Sequence, residues 1–174
     1  MYFDLTAAID ILSRTPSVLN TLLQGLSDEW LQSNEGDSTW SPYDILGHLI
    51  HGEKTDWIPR ASLILSDVQD KTFVPFDRFA QMEGDQNRPI AGLLEEFQQL
   101  REANIAALKE LPINETTLNN QGNHPELGTV KLRELLSTWV VHDLGHISQI
   151  TRVMAKQYTS EVGPWSAYLG ILKR

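Results

Sequence analysis

Residues 131–157 of this chain read KLRELLSTWVVHDLGHISQITRVMAKQ, and they predict one long amphipathic helix. At about 100° per residue, Leu135, Trp139 and Val153 fall on one side of that helix. Leu136 and Ile150 lie on the adjacent part of the helix surface. A helix with a continuous apolar stripe is stable only when the stripe is buried against other elements. The fold therefore depends on which other segments of the chain form helices that can cover this stripe.

Three earlier segments show the same helical periodicity. Ser41 and Pro42 suit the N-cap and first position of the second segment, and Pro16 and Pro59 predict a kink or bend within the first and the second. The tail, residues 162–174, predicts a short closing helix. The three predicted helices cover approximately residues 5–23, 42–66 and 89–111.

No segment between these helices alternates as a strand would. Loops of the observed length allow consecutive helices to reverse direction and pool their apolar stripes. The sequence therefore predicts an all-α fold: an up-down-type bundle of four antiparallel helices with a short C-terminal helix. Its length, 174 residues, is that of one domain, so we expect a single domain over residues 1–174.

Composition excludes several classes of function. The chain has 14 basic and 23 acidic residues, a net charge of −9, without a basic run, so nucleic acid is not an expected partner. It has no cysteine, which excludes disulfides, thiolate metal ligands and a cysteine nucleophile. Asp4 and Asp10 interrupt the apolar N-terminal segment, unlike a signal peptide, and no stretch reaches transmembrane length. We expect a cytoplasmic protein without a membrane partner.

Three histidines form a candidate metal site. His142 and His146 are four residues apart at the edge of the buried stripe, so both imidazoles can reach one ion. His48 lies beside the apolar line of the second helix and is the candidate third ligand. His51 points away from that line, and His124 lies in a predicted loop, so both are expected to be surface groups. The alternative is that the three are core histidines bonded to backbone carbonyls.

Charged residues on buried faces give further candidates. Asp143 falls near the centre of its apolar stripe, where a carboxylate is costly unless it is paired, hydrogen-bonded or close to a cation. Glu53, Asp56 and Arg60 project from the inner side of the second helix. They form either an ion-pair network or a polar pocket, in which Arg60 binds an anionic substrate group. The candidate catalytic residues are Asp143 and Glu53, and the candidate pocket residues are Arg60, Asp56 and Trp139.

Two motifs resemble those of a known family. Residues 40–49, WSPYDILGHL, match the WSxxxxxxHL pattern of the DinB-like superfamily of metal-binding four-helix bundles, and HDLGHISQI, residues 142–150, matches its HxxxH helix. The resemblance implies a divalent metal ion, most often zinc or nickel, held by His48, His142 and His146 with water completing the shell. It also implies a homodimer.

The resemblance also suggests a chemistry. Characterised members of this superfamily include transferases that use the thiols bacillithiol or mycothiol, and others are described as metal-dependent hydrolases. We therefore expect an enzyme whose tri-histidine centre activates a low-molecular-weight thiol for transfer to an electrophilic small molecule. The alternatives are a hydrolase that activates water, or a non-catalytic stress-response binding module with a structural metal.

Overall fold

Four helical arms form most of the structure, a computed structural model that describes residues 2–84 and 87–173. The α-helices are α1 (Leu5–Leu12), α2 (Thr15–Leu23), α3 (Asp28–Leu31), α4 (Pro42–Thr55), α5 (Trp57–Leu65), α6 (Ile90–Glu110) and α7 (Leu132–Lys156). The first arm is the pair α1 and α2, the second is the pair α4 and α5, and the third and fourth are single helices, α6 and α7. The strands are β1 (Gln121–His124) and β2 (Gly128–Lys131).

Proline divides the first two arms, as the sequence predicts, but each break lies upstream of its proline. The second arm breaks at Asp56, three residues before Pro59, and the first breaks at Ser13 and Arg14, before Pro16. A proline lacks the N–H that an interior helical position requires, and its ring clashes with the carbonyl four residues earlier. Both prolines therefore lie in the first turn of a new helix, where neither restriction applies.

Two apolar clusters, one at each end of the bundle, show the direction of every arm. One cluster combines the C-terminal halves of the first and fourth arms with the N-terminal halves of the second and third. The other cluster combines the opposite halves. The first and fourth arms therefore run one way and the second and third run the other. Members of the two clusters include Leu23, Leu46, Phe97 and Ile150 at one end and Leu12, Ile64, Leu108 and Leu136 at the other.

The all-α four-helix bundle is thus confirmed, with one difference in connectivity. Consecutive arms reverse direction between the first and second and between the third and fourth, but the second and third run parallel. Residues 66–89 connect these two, and at roughly 3.3 Å per residue they can span the whole length of a helix such as α6, about 31 Å. We call residues 67–84 the crossover segment. It packs along α4, where Gly47 allows the approach, since an added Cβ would lie 3.0 Å from Cβ of Gln81.

A small antiparallel hairpin, β1 and β2, precedes the fourth arm and was missed by the sequence analysis. Its register runs from Gln121 opposite Lys131 to His124 opposite Gly128. Four-residue polar strands are too short to show alternation. The available signal was the turn itself, where Gly128 closes a three-residue loop with φ of 73°.

The hairpin packs directly on the crossover segment. The backbone N–H of Phe73 donates to the carbonyl of Asn123 at 2.9 Å, and the N–H of Asn123 donates to the carbonyl of Lys71 at 2.9 Å. Gly122 lies against the Phe73 ring so closely that an added Cβ would lie 2.6 Å from it. Crossover and hairpin together therefore cover one end of the bundle.

The tail differs from expectation in its details. It forms two 3₁₀ turns, Gly163–Ala167 and Gly170–Lys173, in place of one short helix. Gly163, with φ of 51°, begins the first turn, and Tyr168 and Leu169 separate the first turn from the second. Among the described helices, none combines the length and the apolar character needed to cross a membrane.

An ion-pair cluster fastens the loop before the second arm to the end of α7. The carboxylate of Glu35 accepts from Nη2 of Arg152 at 2.7 Å and lies 2.9 Å from Nζ of Lys156. The hydrogen bond from Arg152 lowers the pKa of Glu35 to about 2, an effect that burial opposes and Lys156 reinforces. The cluster therefore stabilises the fold only while Glu35 is ionised.

We expect Glu35→Gln to lower the free energy of unfolding by about 1 kcal/mol at pH 7. Because the folded pKa lies below the unfolded value, this stabilisation is complete above pH 4.5 and is lost as the pH falls toward 2. Urea unfolding at pH 7 and pH 3 measures the difference between variant and wild type. The exposed Glu126 supplies the control, Glu126→Gln. A Glu35→Gln difference that is the same at both pH values contradicts the prediction.

Candidate metal centre

Three imidazole nitrogens converge between the second and fourth arms. His48 extends from α4, and His142 and His146 lie one turn apart on α7. Nε2 of His142 lies 3.1 Å from Nε2 of His48 and 3.1 Å from Nε2 of His146. The three ligand atoms all lie within 4.8 Å of one another. Three nitrogens bound tetrahedrally to one zinc ion are about 3.3 Å apart, so the spacing fits a single ion.

The protonation state of these histidines also suits a metal. Burial, reinforced by the charge of His146, lowers the pKa of His48 to about 4 and the pKa of His142 to about 3. Burial also lowers the pKa of His146. All three imidazoles are therefore neutral at pH 7 and have lone pairs available for a ligand bond. A set of three neutral imidazoles suits a divalent ion such as zinc or nickel.

Neighbouring groups hold the three rings in place. Nδ1 of His146 lies 2.9 Å from Oε1 of Gln149, a bond that assigns the proton to Nδ1 and leaves Nε2 free as a ligand. Trp40 contacts His48 with 4.7 Å between ring centroids and stacks on His146 at 6.3 Å. The rings of Trp57 and His142 meet edge to face, with 5.2 Å between their centroids. These contacts restrict the movement of the rings that would supply the ligand nitrogens.

Asp44 does not take part in this arrangement. Its Oδ2 accepts from the backbone N–H and the hydroxyl of Ser41, at 2.9 and 2.7 Å. The backbone N–H of Asp44 in turn donates to Oγ of Ser41 at 3.1 Å. This is a capping box at the start of α4, and it fixes where the helix that presents His48 begins.

A pocket of about 410 Å³ opens above the three histidines. Its polar lining includes Asp56, Arg60, Arg78, His124 and Glu134. A larger groove, about 700 Å³, lies between α2 and α6, and its lining includes none of the three histidines. The smaller pocket is therefore the one that serves the candidate centre. Its apolar wall includes Trp40, Trp57, Phe73, Phe76, Leu127 and Val130.

Asp56 and Arg60 line this pocket, and they are also paired with each other. Nε of Arg60 lies 2.5 Å from Oδ1 of Asp56. Burial raises the pKa of Asp56, and the charge of Arg60 opposes that rise. The Arg60 guanidinium also lies 5.0 Å above the Phe73 ring. Arg60 is therefore neutralised by the carboxylate of Asp56, the N-cap residue of α5.

Trp139 does not line the pocket, contrary to expectation. It is fully buried, and its Nε1 donates to Oε1 of Glu53 at 3.1 Å. Its ring stacks parallel to Trp57, with 5.6 Å between centroids and 7° between planes. Trp139 therefore supports the pocket wall from behind, as a core residue, because its position on α7 faces the neighbouring arms.

Glu53 and Asp143 meet at Arg101, behind the histidines. Nη2 of Arg101 donates to Oε1 of Glu53 at 2.8 Å, and its Nη1 lies 2.5 Å from Oδ2 of Asp143. Thr15 also donates to Oδ2 of Asp143, at 2.6 Å. Asn104 donates to Oε2 of Glu53 at 3.0 Å. Neither carboxylate lines the pocket, so Glu53 does not take the expected position beside a substrate, and Asp143 has the buried, paired environment that its place on the stripe requires.

Arg101, Arg78 and His124 were missed by the sequence analysis. Arg101 had a signal, because it lies between Phe97 and Ile105 on the apolar stripe of α6 and so offers a buried cation to match a buried carboxylate. His124 was expected to be a surface loop group, yet it lines the pocket from the end of β1. Its Nδ1 accepts from the backbone N–H of Glu126, at 3.1 Å. Neither it nor Arg78 lies in a periodic segment that would have indicated its position.

Fold and site together define a helical-bundle protein with a candidate tri-histidine metal centre. The chain belongs to the DinB superfamily, whose family model matches residues 11–150. The resemblance noted from its motifs is thereby confirmed.

One solved structure supports the fold assignment. It is YfiT from Bacillus subtilis, described as a probable metal-dependent hydrolase with an unusual four-helix bundle topology. The two chains share 22% sequence identity over 87% of this chain and 86% of that one, with a TM-score of 0.75. At 22% identity, the structural similarity shows that the two proteins share a fold. No curated protein matches the chain.

Proposed function

We propose that this protein is a metal-dependent enzyme acting on a small molecule held above His48, His142 and His146. The observation that carries the proposal is the convergence of three imidazole nitrogens at a pocket of about 410 Å³, a size typical of small-molecule sites. His48, His142 and His146 would hold a divalent ion such as zinc or nickel, which would lower the pKa of a thiol or water molecule bound to it.

Within that class we place thiol transfer first. The chain has no cysteine, so a thiol nucleophile must be an external molecule. The carboxylates that line the pocket are already engaged, Asp56 by Arg60 and Glu134 by the backbone N–H of Lys131 at 2.8 Å. A thiol with a lowered pKa reacts without a protein base, whereas hydrolysis usually requires one to direct water. The engaged carboxylates therefore favour the thiol.

The pocket walls have roles in binding and orientation. Trp40, Trp57 and Phe76 surround the histidines with apolar surface, so they bind the apolar part of an electrophile and exclude water. Trp139, whose Nε1 donates to the Glu53 carboxylate, supports Trp57 from behind. In this proposal Glu53 and Asp143 are positioning residues.

Hydrolysis is the second candidate, favoured by the description of YfiT as a probable metal-dependent hydrolase. The homodimer and the cytoplasmic location suggested at the outset stay predictions.

Conjugation of a small thiol to monochlorobimane tests the first candidate. A sulfur–carbon bond forms, the carbon–chlorine bond breaks, chloride leaves with the bonding pair, and the thiol proton passes to solvent. We expect turnover with the metal-loaded protein and its loss in His48→Ala, because His48 is one of the three nitrogen donors. His51→Ala is the matched control, since His51 lies on the same helix outside the trio.

The same protein should be tested with ester, amide and phosphoester panels. Hydrolysis without conjugation would overturn thiol transfer and support the second candidate. A protein that holds metal and shows neither activity would be a binding module with a structural ion.

A further inference from the structure

We propose that the pocket takes a small anionic molecule with an apolar body, and that Arg78 holds its anionic group. This inference rests on the proposed function, because it assigns the substrate class of the same pocket. It replaces the sequence-based assignment of that role to Arg60.

Arg60 is unsuited to binding a substrate anion because its guanidinium is already paired with a carboxylate. It is buried, its Nε is paired with Asp56 at 2.5 Å, and its Nη2 donates to the carbonyl of Val74 at 3.3 Å. Binding a substrate anion there would require displacing Asp56 from a buried ion pair, which is costly.

Arg78 has the opposite environment. It belongs to the crossover segment, and it lines the pocket together with the three histidines. Its guanidinium lies 5.5 Å above the ring of Trp40 and 5.3 Å above the ring of Phe79. Among the described residues, no carboxylate lies within ion-pair distance of it.

Contact with the two aromatic rings restrains the Arg78 guanidinium, while the N–H groups at the edge of the guanidinium stay available to an anion. Arg78 lines the same pocket as His48 and His146. An anion bound to Arg78 would therefore place the attached body beside the histidines. The chain carries a net charge of −9, so a cation with no carboxylate partner among the described residues is a local exception at this pocket.

The remaining walls define the body of the ligand. Trp57, Phe73 and Phe76 offer aromatic faces, and Leu127 and Val130 of the hairpin add aliphatic surface. A flat apolar or aromatic group carrying one carboxylate or phosphate matches this combination.

Two isosteric probes test the anion site directly. Binding of 1-naphthoate and of its neutral analogue 1-naphthamide is measured by calorimetry with the metal-loaded chain, and again after chelation. We expect naphthoate to bind about fivefold more tightly than naphthamide in both states, the ratio of an exposed charge-assisted contact. Parallel titrations with 1-naphthyl phosphate show which anion is preferred.

Substitutions then locate the contact. Arg78→Gln should bring the naphthoate-to-naphthamide ratio close to one while changing naphthamide affinity less than twofold. The double variant Asp56→Asn with Arg60→Gln removes the buried pair as a unit and should keep the ratio. Arg14→Gln, an exposed arginine outside the pocket, is the charge-matched control.

Equal binding of naphthoate and naphthamide by the wild-type chain would overturn the proposal. Loss of the preference in the Asp56 and Arg60 double variant, but not in Arg78→Gln, would also overturn it. Because the preference is measured with and without metal, it stands or falls separately from the proposed enzyme activity. A chain that binds no metal and still prefers naphthoate through Arg78 would retain the anion site and refute only the metal-dependent function.

Discussion

Replacing Arg101 with methionine is expected to lower the free energy of unfolding by about 3–5 kcal/mol. Arg101 is 1% exposed and joins Glu53 of the second arm to Asp143 of the fourth. Burial alone would lower its pKa, but Asp143 and Glu53 more than offset that effect and raise it, so the guanidinium stays charged. Its removal leaves two buried carboxylates without a cation, and buried uncompensated charge is among the most destabilising of changes.

Urea unfolding followed by tryptophan fluorescence measures this loss. Lys109→Met, on an exposed position of the same helix, is the control and should change stability by less than about 0.5 kcal/mol. Removing the charges together, as Glu53→Gln, Arg101→Met and Asp143→Asn, should recover part of the lost stability because no ion is then left unpaired. A loss of under 1 kcal/mol in Arg101→Met would show that the network does not hold the arms together.

Replacing His142 with alanine is expected to weaken divalent-metal binding by more than about 100-fold. His142 is the central member of the trio, because its Nε2 lies 3.1 Å from Nε2 of both His48 and His146. Loss of a direct ligand should exceed the 10- to 100-fold effect typical of groups that only support ligands. Competition with a chromophoric chelator, for zinc and for nickel, measures the affinity, and elemental analysis measures occupancy.

His51→Ala is again the informative comparison, since it removes one imidazole from the same protein without touching the trio. It should leave the metal affinity within about twofold of wild type. If His142→Ala bound metal as the parent does, or if the parent bound none at micromolar concentration, the three residues would be core histidines. Hydrogen bonds between the rings, in which Nε2 of His142 lies 3.1 Å from Nε2 of each of the other two, would then explain why the three histidines lie together.

Much of the fold was predictable because helical periodicity is a local property. The stripe of Leu135, Trp139 and Val153 indicated the last helix to within one residue at each end, and Pro89 indicated the start of the third. The same local rule placed His142 and His146 on one face, because residues four apart in a helix are neighbours. Asp143 was identified as a buried carboxylate in need of a partner, which the structure supplies.

The direction of the third arm, the crossover path and the hairpin could not be deduced in this way. The second and third arms run parallel, which the long connection between them permits. The apolar pattern of a helix does not show in which direction the helix runs relative to its neighbours. Phe76 and Arg78 reach the pocket only because that connection passes over α4. His124 reaches it only because Asn123 pairs with the crossover backbone.

The sequence by itself therefore determined four amphipathic helices and the three histidines that can share an ion. Helical periodicity is enough to identify the helices. The four-residue spacing of His142 and His146, and the place of His48 beside the apolar line of the second helix, are enough to identify the histidines. The tertiary structure alone decided that Arg101 neutralises Glu53 and Asp143 and that Trp139 belongs to the core. It also decided that Arg60 is paired with a carboxylate, whereas Arg78 has no carboxylate partner among the described residues. Those outcomes depend on contacts between residues far apart in the chain, and the energy of a buried charge is set by the partner it meets there.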